Sequence, residues 1–361
     1  MSSGTARARA RRPRNRWLPR KPSSSWENEV KHANIALFVP HIGCPHRCSF
    51  CDQNAISGAE RPPEPADVTA ACETALQSLG SRAAEAEIAF FGGSFTAIDR
   101  GYMLRLLDAA RPYVRAGKVR GIRLSTRPDA VEPEVLSLLR EYGVTTIELG
   151  AQSMDDRVLA LNGRGHTADQ VRRAACRVRE MGFSLGLQMM TGLPGDTPEG
   201  AWYTARELAA LSPAEVRIYP TVVLDGTRMG KWYRQGIYQP PGVRESVPLC
   251  AGLLEFFEDQ GIRVIRLGLH ASRSLEERLL GGAYHPAFRE LCEGELLVQR
   301  LLRGLAGRVP GPVTVRLNPR DRSKFTGPHR QNLTRLAELG WQVTIREDTE
   351  IPAGQILPEL E

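Results

Sequence analysis

Short apolar or β-branched runs alternate with longer helix-like segments from about residue 33 onward. The predicted strands are 35–40, 87–91, 121–126, 145–150, 184–190 and 215–223. The predicted helices between them are 66–79, 100–115, 133–142, 167–181 and 198–210. Several of the strands are apolar on both faces, which is typical of buried parallel strands. The alternation therefore predicts an α/β fold of parallel βα units, either a partial barrel or an open doubly wound sheet.

The last hundred residues have a different order of predicted strands and helices. Residues 262–270 predict either a seventh strand or a cap over the mouth of a barrel. Beyond them the pattern predicts helices at 287–304 and 329–339 and strands at 313–318 and 342–346. This alternation predicts a small C-terminal α/β appendage.

Unusual residues follow the predicted strands. The segments concerned are 41–51, 92–94, 127–129, 152, 192–195 and 219–221. Both candidate architectures place their chemistry at the carboxyl ends of the strands. We therefore expect one functional site where these segments meet.

Composition narrows the class of protein. The 361 residues are 42% hydrophobic and 25% charged, and no stretch approaches the roughly 20 apolar residues that span a bilayer. Eight of the 48 basic residues and none of the 41 acidic residues lie within residues 1–22, so the rest of the chain is nearly neutral. We expect residues 1–28 to be a disordered basic tail. The tail accounts for the net charge of +7, and the nearly neutral remainder of the chain gives no general electrostatic argument for nucleic-acid binding.

Three of the seven cysteines are clustered in the loop after the first predicted strand. Cys44, Cys48 and Cys51 follow the spacing Cys-x3-Cys-x2-Cys, which suits a metal centre better than a disulfide framework. A structural zinc would need a fourth ligand, such as His41 or His46. An iron–sulfur cubane held by three cysteines would leave one iron open. The cysteine usage also indicates a reducing, cytoplasmic protein.

The cysteine spacing, with the aromatic Phe50 before the last cysteine, resembles the radical S-adenosylmethionine (SAM) superfamily. The resemblance implies a partial (β/α)6 TIM-like barrel in which Cys44, Cys48 and Cys51 hold a [4Fe–4S] cluster. It implies that SAM binds the open iron and is cleaved to methionine and a 5′-deoxyadenosyl radical. An electron donor such as flavodoxin or ferredoxin is then required, and Phe50 is expected beside the adenine.

Further motifs support this resemblance and supply candidate SAM contacts. Gly92, Gly93 and Ser94 resemble the Gly-Gly stretch whose backbone meets the SAM amino group. Gln152 and Arg164 resemble a SAM-contacting pair of the oxygen-independent coproporphyrinogen oxidases and of the Elongator catalytic subunit. An arginine suits a carboxylate because its guanidinium donates two parallel hydrogen bonds.

The residues of several further motifs resemble the radical SAM domain of the Elongator subunit more than the coproporphyrinogen oxidases. The segments that resemble it are 91–96, 125–129, 192–195, 217–221 and 224–227. Ser125 stands where that pattern has a ribose-binding glutamate, so SAM contacts from this strand are in doubt. Residues 271–361 are too few for the acetyltransferase domain that completes the Elongator reaction, so we do not expect the complete reaction here.

These observations predict a cytoplasmic radical SAM enzyme without a membrane segment. Its regions are the tail at 1–28, the barrel at 29–270 and the α/β extension at 271–361. The substrate is open, with tRNA favoured over a small metabolite or tetrapyrrole, and a non-catalytic zinc- or RNA-binding protein remains an alternative. His270 and His285 could be proton donors or substrate ligands at the barrel mouth, or loop histidines bonded to backbone.

Overall fold

The computed structural model describes residues 33–39, 44, 48–52, 55–56 and 61–359. Its largest element is a parallel sheet of seven strands in the order β1-β2-β3-β4-β5-β6-β8. These strands are β1 Asn34–Val39, β2 Glu87–Gly92, β3 Gly121–Thr126, β4 Val144–Gln152, β5 Ser184–Thr191, β6 Glu215–Pro220 and β8 Arg263–Leu267. The parallel α/β fold is confirmed, and the segment 262–270 supplies a seventh strand rather than a cap. The predicted tail lies outside the described residues.

Helices follow most strands and cover one face of the sheet. In chain order they are α1 Pro65–Leu79, α2 Arg100–Arg115, α3 Pro133–Glu141, α4 Asp156–Leu161, α5 Ala168–Glu180, α6 Pro198–Ala210, α7 Arg228–Arg234 and α8 Val243–Asp259. Apolar residues on alternate positions of the strands pack against these helices in the main core. Thr167 caps α5 through a reciprocal capping box with Gln170, which satisfies two otherwise unpaired backbone N–H groups.

The sheet is curled into a partial barrel, as contacts across its inner face show. Arg123 on β3 lies 2.8 Å from Glu215 on β6, three strands away. In a flat sheet those strands would be about 14 Å apart, because neighbours are spaced by about 4.8 Å. Arg217 on β6 likewise lies over the ring of Phe91 on β2, 4.9 Å from its centroid. The inner face is therefore concave, with strands β2 and β3 facing β6.

The predicted strand 215–223 is in fact two strands. β6 ends at Pro220, and β7 Val222–Leu224 leaves the main sheet to pair antiparallel with β9 Leu279–Gly282. The Thr221 N–H donates to the carbonyl of Thr191 and marks the turn between the two. The short helix α9 Arg273–Arg278 lies between β8 and β9. This hairpin-like pair lies next to the carboxyl ends of the barrel strands.

The C-terminal α/β appendage is confirmed in outline. A three-stranded sheet has the order β11-β10-β12, with β10–β11 parallel and β10–β12 antiparallel. Its elements are α10 Phe288–Gly304, β10 Pro312–Leu317, α11 Arg322–Thr326, α12 Gln331–Glu338, β11 Gln342–Glu347 and β12 Ile356–Glu359. Helix α10 joins the two parts: Phe288, Cys292 and Leu296 pack in the main core, and Leu301 in the appendage core. Among the described residues, no helix has the length and apolar character needed to cross a membrane.

Candidate functional site

The clustered cysteines lie in the loop that follows β1, where all three are half-buried and unpaired by disulfide. Burial, together with the neighbouring Cys48 and Cys44, raises the pKa of the Cys51 thiol to about 12. Burial also raises the pKa of Cys44, and Cys48 adds to that rise. The three thiols thus influence one another electrostatically. Such a group becomes fully deprotonated only when a metal compensates the charge.

Asn162 fastens the cysteine loop to the barrel. The Ser49 N–H donates to the Asn162 carbonyl at 2.9 Å, and the Ser49 hydroxyl donates to its side-chain oxygen at 2.6 Å. The Asn162 amide in turn donates to the carbonyls of Val158 and Pro194. Because Ser49 and Asn162 are both fully buried, these bonds fix the loop against the ends of β4 and β5. The sequence analysis assigned no role to Asn162.

Arg164 brings the predicted SAM-contacting region to the cysteines. Its Nη1 donates to the Cys48 sulfur at 3.2 Å, and its Nη2 donates to the Gly150 carbonyl at 2.6 Å. Its Nε is buried and has no partner among the described residues. A buried guanidinium nitrogen without an acceptor is costly. The arrangement therefore fits a ligand that carries an acceptor such as a carboxylate.

Gln152 occupies an unusual backbone position at the end of β4. Its φ is +69°, a left-handed value that non-glycine residues rarely adopt and that often marks functional sites. The β4–β5 register shifts here, and the Gln188 amide donates to the Gln152 side-chain oxygen at 3.3 Å. A Cβ added at Gly150 would lie 3.0 Å from the Gln152 amide nitrogen and 3.4 Å from the Arg164 guanidinium. The glycine thus keeps a small space open between the two predicted SAM contacts.

The Gly-Gly stretch lies beside the first cysteine. Gly92 has φ +109°, and a Cβ there would lie 2.7 Å from the Val39 carbonyl oxygen, so the close approach of β1 and β2 requires glycine. The Gly93 N–H donates to that same carbonyl. The Ser94 backbone N–H hydrogen-bonds the Cys44 thiol and partly opposes the rise in its pKa that burial causes. The buried Ser94 hydroxyl bonds the Thr126 hydroxyl at 2.8 Å, which ties the ends of β2 and β3 together.

Phe50 packs in an apolar cluster at the carboxyl ends of the strands. Its neighbours there are Val158, Met190, Leu193, Val223 and Met229, together with Tyr219, Tyr233, Tyr238 and Leu280. Phe50 is only half-buried, so part of its ring remains accessible beside the cysteines. The predicted site residues of β2, β4 and the cysteine loop are thus brought together at one end of the barrel.

His166 is a further residue of this region, and the sequence analysis assigned it no role. It is buried, and its Nε2–H donates to the Ala151 carbonyl at 3.2 Å. Burial lowers its pKa to about 4, and the nearby Arg164 lowers it as well. The neutral ring therefore presents a bare Nδ1, which has no partner in the described part of the chain. The site thus holds one unpaired donor on Arg164 and one unpaired acceptor on His166.

The donor set fits an iron–sulfur cluster with an adjacent polar ligand. The three neighbouring thiols could supply cluster ligands, and the unpaired atoms of Arg164 and His166 could supply polar partners to an adjacent ligand. Within the described ranges, no three His, Cys, Asp or Glu side chains are arranged to hold a single metal ion. The zinc alternative depends on His41 or His46, and both lie outside the described residues.

The inner face of the barrel carries a charge network that the sequence did not predict. Arg123 is almost fully buried and contacts Glu87, Glu148 and Glu215 at 2.7–2.8 Å. Arg217 donates two hydrogen bonds to Glu148, at 2.5 and 2.9 Å. Ser125, which stands where the resembled motif has glutamate, lies in register beside Glu148. Every oxygen of the Glu148 carboxylate is thus already engaged by an arginine.

A separate surface cavity of about 560 Å³ lies outside this site. Asp155, Asp156, Asp196 and Glu199 are among its lining residues. Burial raises the pKa of Asp196 to about 6, whereas hydrogen bonds from the backbone of Gly192 and Thr197 oppose that rise. The acidic lining suits neither a carboxylate ligand nor a phosphate backbone. We therefore place the candidate site at the cysteines rather than in this cavity.

Two family models match the chain. The model described as the radical SAM superfamily matches residues 38–208, and that of the radical SAM C-terminal domain matches residues 213–297. Together they include all of the candidate site residues and helix α8. The second match ends within α10.

The chain is also similar to curated proteins. It is 28% identical over 239 residues to a tRNA uridine(34) acetyltransferase of Dehalococcoides mccartyi, which covers 57% of this chain and 52% of that protein. It is 22% identical over 240 residues to the heme chaperone HemW of Bacillus subtilis, covering 65% of this chain and 63% of that protein. The chain thus spans about half the length of the acetyltransferases that it matches.

A solved structure shares the fold. The archaeal Methanocaldococcus infernus Elp3 with an N-terminal deletion matches with a TM-score of 0.59 and 19% sequence identity. The match covers 78% of this chain and 69% of that one. At this identity the likeness concerns the fold, a curled half-barrel with its helices.

Proposed function

The chain belongs to the radical SAM superfamily and is an enzyme of that class, and from this premise we propose that it cleaves SAM to modify tRNA. Cys44, Cys48 and Cys51 would hold a [4Fe–4S] cluster in the loop after β1. The cluster with SAM would supply a 5′-deoxyadenosyl radical. The observation that carries the proposal is the convergence of the three thiols with the unpaired Nε of Arg164 at one end of the barrel.

Arg164 has two tasks in this account. Its Nη1 donates a hydrogen bond to the Cys48 sulfur, which helps to stabilise negative charge on that sulfur. Its unpaired Nε points to a role in binding the SAM carboxylate, because a charged acceptor removes the cost of burying that donor. The bond from Nη2 to the Gly150 carbonyl fixes the guanidinium between these two partners.

The remaining candidate contacts surround the same place. The carbonyls of Gly92 and Gly93 can accept hydrogen bonds from an ammonium group, since the N–H of Gly93 is already bonded to β1. Gln152 presents its amide beside Gly150, and Phe50 offers a ring face to the adenine. The apolar cluster around Phe50 excludes water from the region where a radical must survive.

The comparisons favour tRNA as the substrate. Two tRNA uridine(34) acetyltransferases match this chain over 239 and 258 residues, which is about half of their own length. We therefore propose that the chain performs radical chemistry on tRNA and leave open which product forms. Three buried cysteines are free thiols, which fits a reducing cytoplasm; they are Cys72, Cys250 and Cys292. In that compartment a flavodoxin or ferredoxin could supply the electron.

A tetrapyrrole is the second candidate substrate. The observation that favours it is the match to HemW, which extends over 63% of that protein and so exceeds the coverage of the acetyltransferases. This alternative requires a haem or porphyrin to bind the purified chain. The Soret absorbance of the bound haem or porphyrin would be detectable in the purified protein before any enzyme assay.

The substrate assignment is tested with the full chain under anaerobic conditions. The protein is reconstituted with iron and sulfide, reduced with dithionite and given SAM, and 5′-deoxyadenosine is measured with unmodified tRNA, ribosomal RNA or haem present. Of the three additions, we expect only tRNA to increase the yield of 5′-deoxyadenosine. We also expect a modified nucleoside to form in that tRNA. Equal yields with tRNA and ribosomal RNA would contradict the tRNA assignment, and stimulation by haem would favour the tetrapyrrole.

A further inference from the structure

The seven strands of the main sheet contain seven charged residues, four arginines and three glutamates. Six of them form one connected network on the concave face. Its members are Glu87, Arg123, Glu148, Glu215, Arg217 and Arg263. The seventh charged residue is Arg266 on β8. The strands therefore carry one more arginine than glutamate, and Arg266 is the cation outside the network.

A β-bulge turns Arg266 to the concave face. On β8, Arg263 pairs in register with Glu215 and Val264 with Val216, but the next pair is Arg217 with Arg266. Ile265 is thus the extra residue, and without it Arg266 would point to the opposite face. Bulges are over-represented next to active sites, where they redirect side chains. The bulge here places two arginine side chains next to each other on neighbouring strands.

Arg266 is free to bind a ligand, whereas its neighbour is not. Arg217 is held by Glu148 and by the ring of Phe91. Arg266 uses only its Nε, which donates to the Gly268 carbonyl at 3.1 Å. Its two terminal nitrogens have no hydrogen-bond partner in the part of the chain that the structure describes. Burial lowers the pKa of Arg266, and Arg217 and Arg289 lower it further while only Tyr219 opposes them.

His270 lies next to the same positive charge. His270 is exposed; partial desolvation lowers its pKa, and the cations Arg266 and Arg217 lower it as well. At neutral pH the ring is therefore uncharged and able to donate a hydrogen bond. Two arginines in register with a neutral histidine beside them make a region of positive potential at the carboxyl end of the half-barrel. The cysteine loop follows β1 at the same end.

We propose that Arg266, with Arg217 and His270 beside it, binds an anionic group of the substrate. Two free guanidinium nitrogens match the geometry of a phosphate or a carboxylate. The site lies on the concave face, apart from the Arg164 guanidinium assigned to SAM. Its assignment to the substrate depends on the proposed function, in which the substrate enters this concave face. The phosphate of a nucleotide and the carboxylate of a small metabolite are the two sources of such a group.

The experiment is an anaerobic titration of the reconstituted full chain at low salt, with inorganic phosphate and with malonate as probes. The variants are Arg266→Gln, the charge-conserving Arg266→Lys, and Arg244→Gln as a control on the exposed start of α8. We expect the wild type to bind at least one probe and Arg266→Gln to weaken that binding by about ten- to hundredfold. Arg266→Lys should keep most of the affinity, and Arg244→Gln should keep all of it.

The preferred probe identifies the chemical source. Stronger binding of phosphate points to a nucleotide, and stronger binding of malonate points to a carboxylate substrate. Binding of neither probe by the wild type, or equal affinity in Arg266→Gln and Arg244→Gln, would overturn the proposal. Because Arg266 has no ion-pair partner among the described residues, Arg266→Gln should melt like the wild type.

The titration involves neither reduction nor SAM cleavage, so its result is independent of the activity assay. If Arg266-dependent anion binding occurs but no 5′-deoxyadenosine forms, the proposed function fails while an anion site remains. If 5′-deoxyadenosine forms but no anion binds through Arg266, only this further inference fails.

Discussion

Replacing Arg123 with methionine tests the buried charge network that holds the curled sheet together. The Arg123 side chain is only 2% exposed and bridges β2, β4 and β6 through three carboxylates. Methionine fills part of the volume but pairs with none of them. The substitution leaves three buried glutamates short of a partner, and uncompensated buried charge is among the largest costs a point mutation can impose.

The size of the effect follows from the partners that remain. Glu87 keeps hydrogen bonds from the Thr145 and Thr146 hydroxyls, at 2.6 and 2.9 Å. Glu148 keeps Arg217, and Glu215 keeps Arg263. Since each carboxylate retains at least one partner, the loss should equal that of one broken buried pair, about 3–5 kcal/mol. At about 2–4 °C per kcal/mol, the melting temperature falls by at least about 6 °C.

The assay is thermal unfolding followed by far-UV circular dichroism. Arg120→Met is the matched control, because Arg120 is exposed just before β3 and loses the same charge without a buried carboxylate beside it. We expect the control to melt within about 1 °C of the wild type, since surface substitutions usually change stability by no more than about 0.5 kcal/mol. Equal melting temperatures for the two variants would refute the reasoning that this network stabilises the fold.

Three further substitutions test the candidate site. Cys48→Ala should abolish cluster assembly without unfolding the barrel; full iron content and an intact brown chromophore would disprove the ligand assignment. Arg164→Ala should weaken SAM binding by about 1.5–3 kcal/mol in calorimetry, whereas exposed Arg157→Ala should not; equal affinities would remove Arg164 from the site. The pKa of His166 falls from 6.5 to about 4 on folding, so only the unfolded chain is protonated between these values and stability decreases as pH falls through that window. His166→Gln should flatten this dependence in unfolding measurements at pH 4–7, and an unchanged slope would contradict it.

The fold could be predicted wherever local pattern and tertiary packing agree. Strands β3 and β5 carry apolar residues at alternate positions that pack in the main core, and both were predicted to within one residue. Helix α8 was not predicted, although it buries Cys250, Leu254 and Phe257 in the main core. Pro248 within that helix lowers its intrinsic helix propensity, and packing overrides it. The end of β6 was missed because β7 pairs with β9, a partner distant in sequence.

The candidate site likewise contains residues that could be predicted from the sequence and residues that could not. The cysteines and the Gly-Gly stretch could be found because their chemistry is encoded by spacing within a few residues. The role of Asn162 could not be predicted, since it depends on Ser49 and Pro194, which are distant in the sequence. Arg266 reaches the concave face only because a bulge shifts the β6–β8 register. Such a shift depends on strand pairing, so a single strand's sequence does not reveal it.

The formation of 5′-deoxyadenosine is the direct sign that this protein cleaves SAM. Wild-type protein, Cys48→Ala and the matched control Cys176→Ala would be reconstituted anaerobically, reduced with dithionite and mixed with SAM. Cys176 is exposed on α5 and outside the cysteine loop, so its loss should not matter. The account predicts 5′-deoxyadenosine from the wild type and Cys176→Ala, and none from Cys48→Ala. A wild-type protein that loads its cluster fully yet forms no 5′-deoxyadenosine, even with tRNA present, would contradict the account.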